Sequence, residues 1–172
     1  MEMLVVVAIV GVTSLTILTN YRRNERTSQN YNYAQDFAAV LRRAQAGALS
    51  GFKYNGADVA EYRVSLRGGV GQTYRACAVE PAEIGVTNCT NNKTIESGTF
   101  PADFNAKTIT LVGPPSVITS AVDIIFRPPY GDTSFTGDSF TDAGGELQIS
   151  FESGSGFFTV SINSTSGRIN IN

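Results

Sequence analysis

Met1–Asn20 reads MEMLVVVAIVGVTSLTILTN, and the character of this stretch decides the fold. From Met3 to Leu18 every residue is apolar, glycine or a small hydroxyl residue, and Glu2 is the only charge nearby. As a helix rising about 1.5 Å per residue, the run makes a rod of about 24 Å. That is slightly shorter than a hydrocarbon core of roughly 30 Å. Thr13, Ser14, Thr16 and Thr19 can return their hydroxyls to carbonyls one turn back, so burial in lipid or protein is open to the rod. Glu2 is the costly residue, because a carboxylate at the end of an apolar helix requires a cation to meet it. A secretory signal would place a basic region before the run and a small-x-small site after it, and these residues show neither. A buried helix of a soluble protein and a plain membrane anchor also fit the run, but the anchor needs no Glu2.

Beyond Asn20 the helical pattern continues with a different character. Tyr33, Phe37, Val40, Leu41, Ala44 and Ala48 recur at spacings of three and four, which puts an apolar stripe on a polar helix. The two halves predict one helix of about 50 residues, near 75 Å long, with its first part projecting and its second part docked. Gly51, Asn55 and Gly56 end it. The pattern is β from there on. Tyr62–Leu66 alternates, Gly68–Gly71 turns, and Thr73–Val79 completes a hairpin. Pro81–Asp103 reads as a polar loop. Strand patterns return at Thr108–Val112, Val122–Arg127, Leu147–Glu152, Phe157–Asn163 and Arg168–Ile171, separated by Pro114-Pro115, Pro128-Pro129 and Gly144-Gly145. The expected class is α+β: an apolar rod over residues 1–20, its amphipathic continuation over 21–53, and an antiparallel β head over 54–172 packed on the helix.

Glu2-Met3-Leu4-Val5-Val6-Val7-Ala8-Ile9-Val10-Gly11-Val12 resembles the start of type IV pilins and pseudopilins, in which a glutamate precedes such a run with a glycine nine residues on. Tyr21 falls where those proteins commonly carry a tyrosine. Thr19 stands where many of them have a helix-kinking proline. The resemblance implies a basic leader ending in glycine ahead of the run, removed by a prepilin peptidase, and a methylated N-terminus. It also implies that Glu2 pairs with the terminal amine of a neighbouring subunit, with Gly11 and Tyr21 belonging to the same assembly region. A looser likeness covers the second half. Ile125-Phe126-Arg127-Pro128-Pro129-Tyr130-Gly131, then Val160-Ser161-Ile162 and Gly167-Arg168-Ile169-Asn170-Ile171, is similar to the head of GspH/FimT-type minor pseudopilins. DNA-binding relatives carry a further basic residue where Asn170 stands here, so the resemblance lends no support to nucleic acid as a partner.

The 172 residues suit one domain plus an extended helix. Hydrophobic residues at 42% supply a core, while charged residues at 16% leave a surface of Ser, Thr, Asn and Gly. A formal net charge of −2 gives no general attraction for nucleic acid or anionic lipid. Histidine is absent, which removes the commonest general base and metal ligand. Cys77 and Cys89 are either two free thiols or a disulfide closing a short loop. The bridge would stabilise by about 3 kcal/mol and place the head in an oxidising compartment. Two thiols without histidine do not complete a zinc shell. Arg22, Arg23 and Arg26 flank the rod on its C-terminal side, and the positive-inside rule alone would leave the head in the cytoplasm; a basic leader would oppose that signal.

Three further groups invite chemistry. Asp132, Asp138 and Asp142 lie in GDTSFTGDSFTD, read as a turn-rich loop with oxygen ligands for calcium but without EF-hand spacing. Arg63, Arg67 and Arg75 with Tyr62 and Tyr74 form a candidate basic and aromatic patch for nucleic acid. Asn88, Asn92 and Asn163 each open a glycosylation triplet. Lys53, Lys93 and Lys107, the remaining bases for a serine nucleophile, sit in no catalytic motif, so neither an enzyme nor a cofactor is expected. The expected function is a structural subunit of a type IV filament, pilus or type II secretion pseudopilus. Its expected partners are copies of itself, other pilin-like subunits and the inner membrane, and the resemblance implies an assembly platform as well. Its expected place is the bacterial inner membrane before assembly, then an extracellular pilus or periplasmic pseudopilus. The alternative is a membrane-tethered binding module, adhesive or DNA-binding, that never forms the shaft.

Overall fold

The computed structural model describes residues 2–51, 53–54, 56–67, 72–81, 94–101, 105–113, 116–153 and 156–172. One helix, α1 (Glu2–Ser50), runs unbroken through the apolar run and the amphipathic stripe. Thr19 keeps the backbone N–H that proline would lack, and the helix passes through it. Gly51 follows at φ 59°, with its N–H donating to the Ala48 carbonyl at 3.3 Å. A residue without Cβ takes this left-handed turn at no steric cost, which closes the helix there.

The buried face of α1 is Ala34, Phe37, Ala38, Val40, Leu41, Ala44 and Ala48, with Tyr33 half-buried beside it. This is the stripe that the three- and four-residue spacing predicts. Small residues let the helix approach closely, and a Cβ on Gly47 would stand 2.9 Å from the Tyr62 ring. Eleven strands come after it among the described residues: β1 (Glu61–Arg67), β2 (Thr73–Val79), β3 (Thr94–Thr99), β4 (Asn105–Val112), β5 (Val117–Thr119), β6 (Ala121–Arg127), β7 (Asp132–Gly137), β8 (Phe140–Ala143), β9 (Glu146–Ser153), β10 (Gly156–Asn163) and β11 (Ile169–Ile171).

They divide into two antiparallel sheets, ordered β3-β2-β1-β6-β7-β8 and β11-β10-β9-β4-β5. The β1–β2 hairpin is present in the register Tyr62↔Ala78 and Leu66↔Tyr74. The sequence pattern alone predicts neither β5 nor the pair β7 and β8, which fall in the stretch read as a turn-rich loop, and it misses two further aspects of this arrangement. The strands form two sheets because β1 takes β6 as its second neighbour and β4 takes β9, both distant in the chain. Part of the span read as loop, Thr94–Thr99, is the edge strand β3, paired with β2. Ile95 is its only large apolar residue and is itself exposed, so no apolar alternation marks the strand and its pairing comes from the neighbouring strand.

The helix touches both sheets, β1 and β6 on one side and β10 and β11 on the other. Phe37 sits at their junction. Its ring lies 5.5 Å from Tyr74 of β2, 5.7 Å from Phe100 and 6.0 Å from Phe151 of β9, all edge-on. Val64, Leu66, Ile124, Phe126 and Phe135 of the first sheet and Ile109, Leu147, Ile149, Val160 and Ile162 of the second complete one core.

Candidate functional site

The first half of α1 is the site that the fold leaves uncovered. Met3, Val5, Val6, Val7, Ile9, Val10, Val12, Leu15, Ile17 and Leu18 are each at least half exposed, from 50% at Leu18 to 83% at Met3. Burying a Val, Leu or Ile side chain is worth roughly 1.5–3 kcal/mol, so covering the rod would release on the order of 10–20 kcal/mol. An apolar surface this continuous marks a contact with lipid or protein. The helix is long and apolar enough to cross a membrane.

The rod's three threonine hydroxyls are already satisfied within it. Thr13 donates to the Ile9 carbonyl at 2.9 Å, Thr16 to Val12 at 2.9 Å and Thr19 to Leu15 at 3.1 Å. The hydroxyls therefore enter an apolar environment with their donors paired. Gly11 leaves open space where a Cβ would stand, so nothing among the described residues requires glycine there. Tyr21 is 68% exposed at the rod's far end. Glu2 lies in the first turn of the helix, and its side chain is outside the described residues. Cys77 is buried on β2 and is not a free thiol; Cys89 lies outside the described residues.

Of the basic and aromatic patch, Arg75 is exposed on β2 and Arg67 partly so, but the other three residues are not presented at the surface. Tyr62 and Tyr74 face the core, and burial pushes both phenols up from their usual value. Arg63 lies on the opposite face of the sheet and is itself buried. Its guanidinium is bonded to Glu61 and stands 4.0 Å from Asp123, whose other oxygen meets Arg67 at 3.1 Å. Arg127 continues the row, 3.8 Å from Glu61 and 2.8 Å from Asp142. Three acids and three bases thus alternate across β8, β6 and β1. Each buried charge has a counter-charge, the condition under which burial is tolerated. Sequence reasoning missed this row. Its local trace was Glu61 two places before Arg63 on one strand face, with Asp123 brought opposite Ser65 only by the β1–β6 register.

The acidic stretch is a hairpin, β7–β8, in which Asp132 is exposed while the Asp138 and Asp142 carboxylates already have partners. Asp138 accepts from the Ser120 hydroxyl at 2.7 Å, and that bond holds its carboxyl below the usual range. Hydrogen bonds from Ser134 and Arg127 hold Asp142 low as well. Among the described residues no three His, Cys, Asp or Glu side chains gather. The Asn163 amide oxygen accepts from the Ser166 N–H at 2.8 Å and from its hydroxyl at 3.0 Å, so this triplet's amide is tied into a turn. Asn88 and Asn92 lie outside the described residues. Lys53 pairs with Asp58 at 2.9 Å.

A folded-state pKa held below the unfolded value contributes stability above the unfolded carboxylate pKa, about 3.9, and loses it as pH falls through the folded value. Asp142→Asn keeps the positive φ that aspartate and asparagine both tolerate. The variant is expected to show a shallower fall in melting temperature than the parent between about pH 4 and pH 2. Parallel thermal melts across that range check it, and identical slopes would remove Asp142 from the acid response.

Compared with family models, curated proteins and solved structures, the chain matches none. What stands is the architecture: one long N-terminal helix, apolar then docked, packed on antiparallel sheets, as in the general type IV pilin-like fold class.

Proposed function

We propose that the chain is a structural subunit of a type IV filament, pilus or secretion pseudopilus, and that it assembles through the apolar half of α1. The observation that carries this reading is the run of exposed apolar side chains on a helix continuous with the half locked into the head. A rod of this kind is stable only when sheathed, first by lipid and then by copies of itself. The division of labour is a rod over residues 1–20, its docked continuation over 21–53 and a head over 54–172.

In the bundle Glu2 meets the terminal amine of a neighbour. The low dielectric there makes mutual neutralisation far stronger than in water, so the pair sets axial register. Gly11, where no Cβ meets the chain's own atoms, gives a neighbouring rod close access, and Tyr21 lies at the boundary between rod bundle and heads. A Cys77–Cys89 bridge, formed in an oxidising compartment, staples the head. The GspH/FimT-like order of the last strands favours a minor or pseudopilin role.

Filaments sheared from cells and labelled with antibody against this chain test the reading. The expected result is labelling of the fibres themselves, and Glu2→Ala reduces their number. A chain found only in the inner membrane, or normal fibres from Glu2→Ala cells, would instead support a tethered binding module.

A further inference from the structure

We infer that the groove between α1 and β11, continued by the outer face of the five-stranded sheet, binds a neutral, hydroxyl-rich polysaccharide. The groove holds about 560 Å³ and is lined by Tyr31, Gln35, Asp36, Arg42, Asn170 and Asn172 beside the β11 backbone. Its one cationic and one anionic side chain cancel. Arg42 is already committed, donating to the Ile169 carbonyl at 3.2 Å, and the Asn170 oxygen accepts from Arg168 at 3.0 Å, which leaves the Asn170 amide N–H₂ as donor. Tyr31 is 43% exposed and its ring lies 5.9 Å from Phe158, so it offers a fixed apolar face beside the amides.

The sheet extends the same chemistry. Ile169, Val160, Ile162, Leu147, Ile149, Ile109 and Leu111 point into the core, so their alternates point outward. The strand registers align two outward rows across four strands. One runs Asn170–Ser161–Gln148–Thr110 and the other Asn172–Thr159–Ser150–Thr108. Neither row contains a charged side chain. Neighbouring strands lie about 4.8 Å apart, so each row spans roughly 14 Å. Ser161 is buried in the first, Gln148 donates to Glu146 at 3.0 Å and Ser150 bonds Thr159, while Thr108, Thr110 and Asn170 are half-exposed and Asn172 is exposed.

These two features select the ligand. An anionic polymer is held by a surplus of Lys and Arg facing its charges, and the rows have none while the groove has no net surplus. An apolar peptide needs a continuous apolar floor, whereas the groove's apolar residues, Ala39, Ile169 and Ile171, are interleaved with polar and amphipathic ones. Sugar hydroxyls both donate and accept, as do side-chain amides, serine and threonine, and the C–H face of a sugar ring suits an exposed tyrosine. Asn170 and Asn172 belong to both groove and rows, so one chain can occupy both.

The full chain, in an alkyl phosphocholine micelle so that no sugar-headed detergent competes, is electrophoresed through gels containing dextran, a soluble β-glucan, galactomannan or dextran sulfate. Retardation by at least one neutral polymer, insensitive to salt, is expected. Gln35→Ala/Asn170→Ala is expected to weaken that retardation about tenfold, as is the near-isosteric Thr159→Val. The inference fails if no neutral polymer retards the chain, or if either variant, melting like the parent, is retarded like the parent. Retardation only by dextran sulfate, lost in salt, also overturns it and marks an anion-binding face. The measurement uses dispersed chains, so its result is independent of whether filaments form.

Discussion

Val10→Arg is expected to eliminate filaments while leaving the head folded. Val10 lies near the middle of the exposed rod and is 56% exposed, so the new guanidinium projects into whatever covers the rod. Inserting arginine at the centre of a membrane helix costs about 2.5–3.5 kcal/mol, equivalent to on the order of a hundredfold in an equilibrium constant. In a bundle the penalty recurs in every copy, and like charges in a low-dielectric core repel strongly. Filament counts by electron microscopy should therefore fall by roughly a hundredfold or more, whereas Val10→Leu should leave them unchanged. Thermal melting of the head should match the parent in both variants. Normal fibres from Val10→Arg cells would show that the rod is not the assembly surface.

The largest effect on stability is expected at Phe37→Ala. The side chain is fully buried, and its ring meets aromatic partners from both sheets. Removing a buried phenylalanine costs about 3–5 kcal/mol, against a total stability of roughly 5–15 kcal/mol for a domain. At about 2–4 °C per kcal/mol for a chain of this size, melting should fall by about 10 °C. Urea unfolding of the full chain in micelles, followed by near-ultraviolet circular dichroism, reads the change. Phe37→Leu fills most of the volume and should lose much less. A loss below about 1 kcal/mol would mean that the sheets meet without Phe37, since even Ile→Val truncations cost about that much.

The rod and the docking stripe were legible because both are local periodicities: a 16-residue run without charge from Met3 to Leu18, then apolar residues at every third and fourth place. The positions of β4, β6, β9, β10 and β11 were legible for the same reason, but β5 was too short to show alternation and β7 and β8 were hidden in a stretch rich in Gly, Asp, Ser and Thr. Partner choice was not legible. Nothing near Tyr62–Leu66 indicates that β6, rather than a sequence neighbour, completes its ladder. The same gap hid the ion row. Arg63 alternates with apolar residues as a solvated side chain would, yet β1 is buried on both faces because its charges meet Asp123 from a distant strand. The tyrosines misled in the opposite sense. Tyr62 and Tyr74 look like a stacking platform, but the pleat turns them into the core. The groove at β11 had no local trace, since its walls come from residues 31–42 and 169–172.

Because α1 is clamped by β1 and β6 on one side and by β10 and β11 on the other, the helix is the axle of the head and not a strap along one flank. A displacement of the rod's free end is therefore transmitted to both sheets together, through the aromatic cluster in which Phe37 meets Tyr74 of β2 and Phe151 of β9.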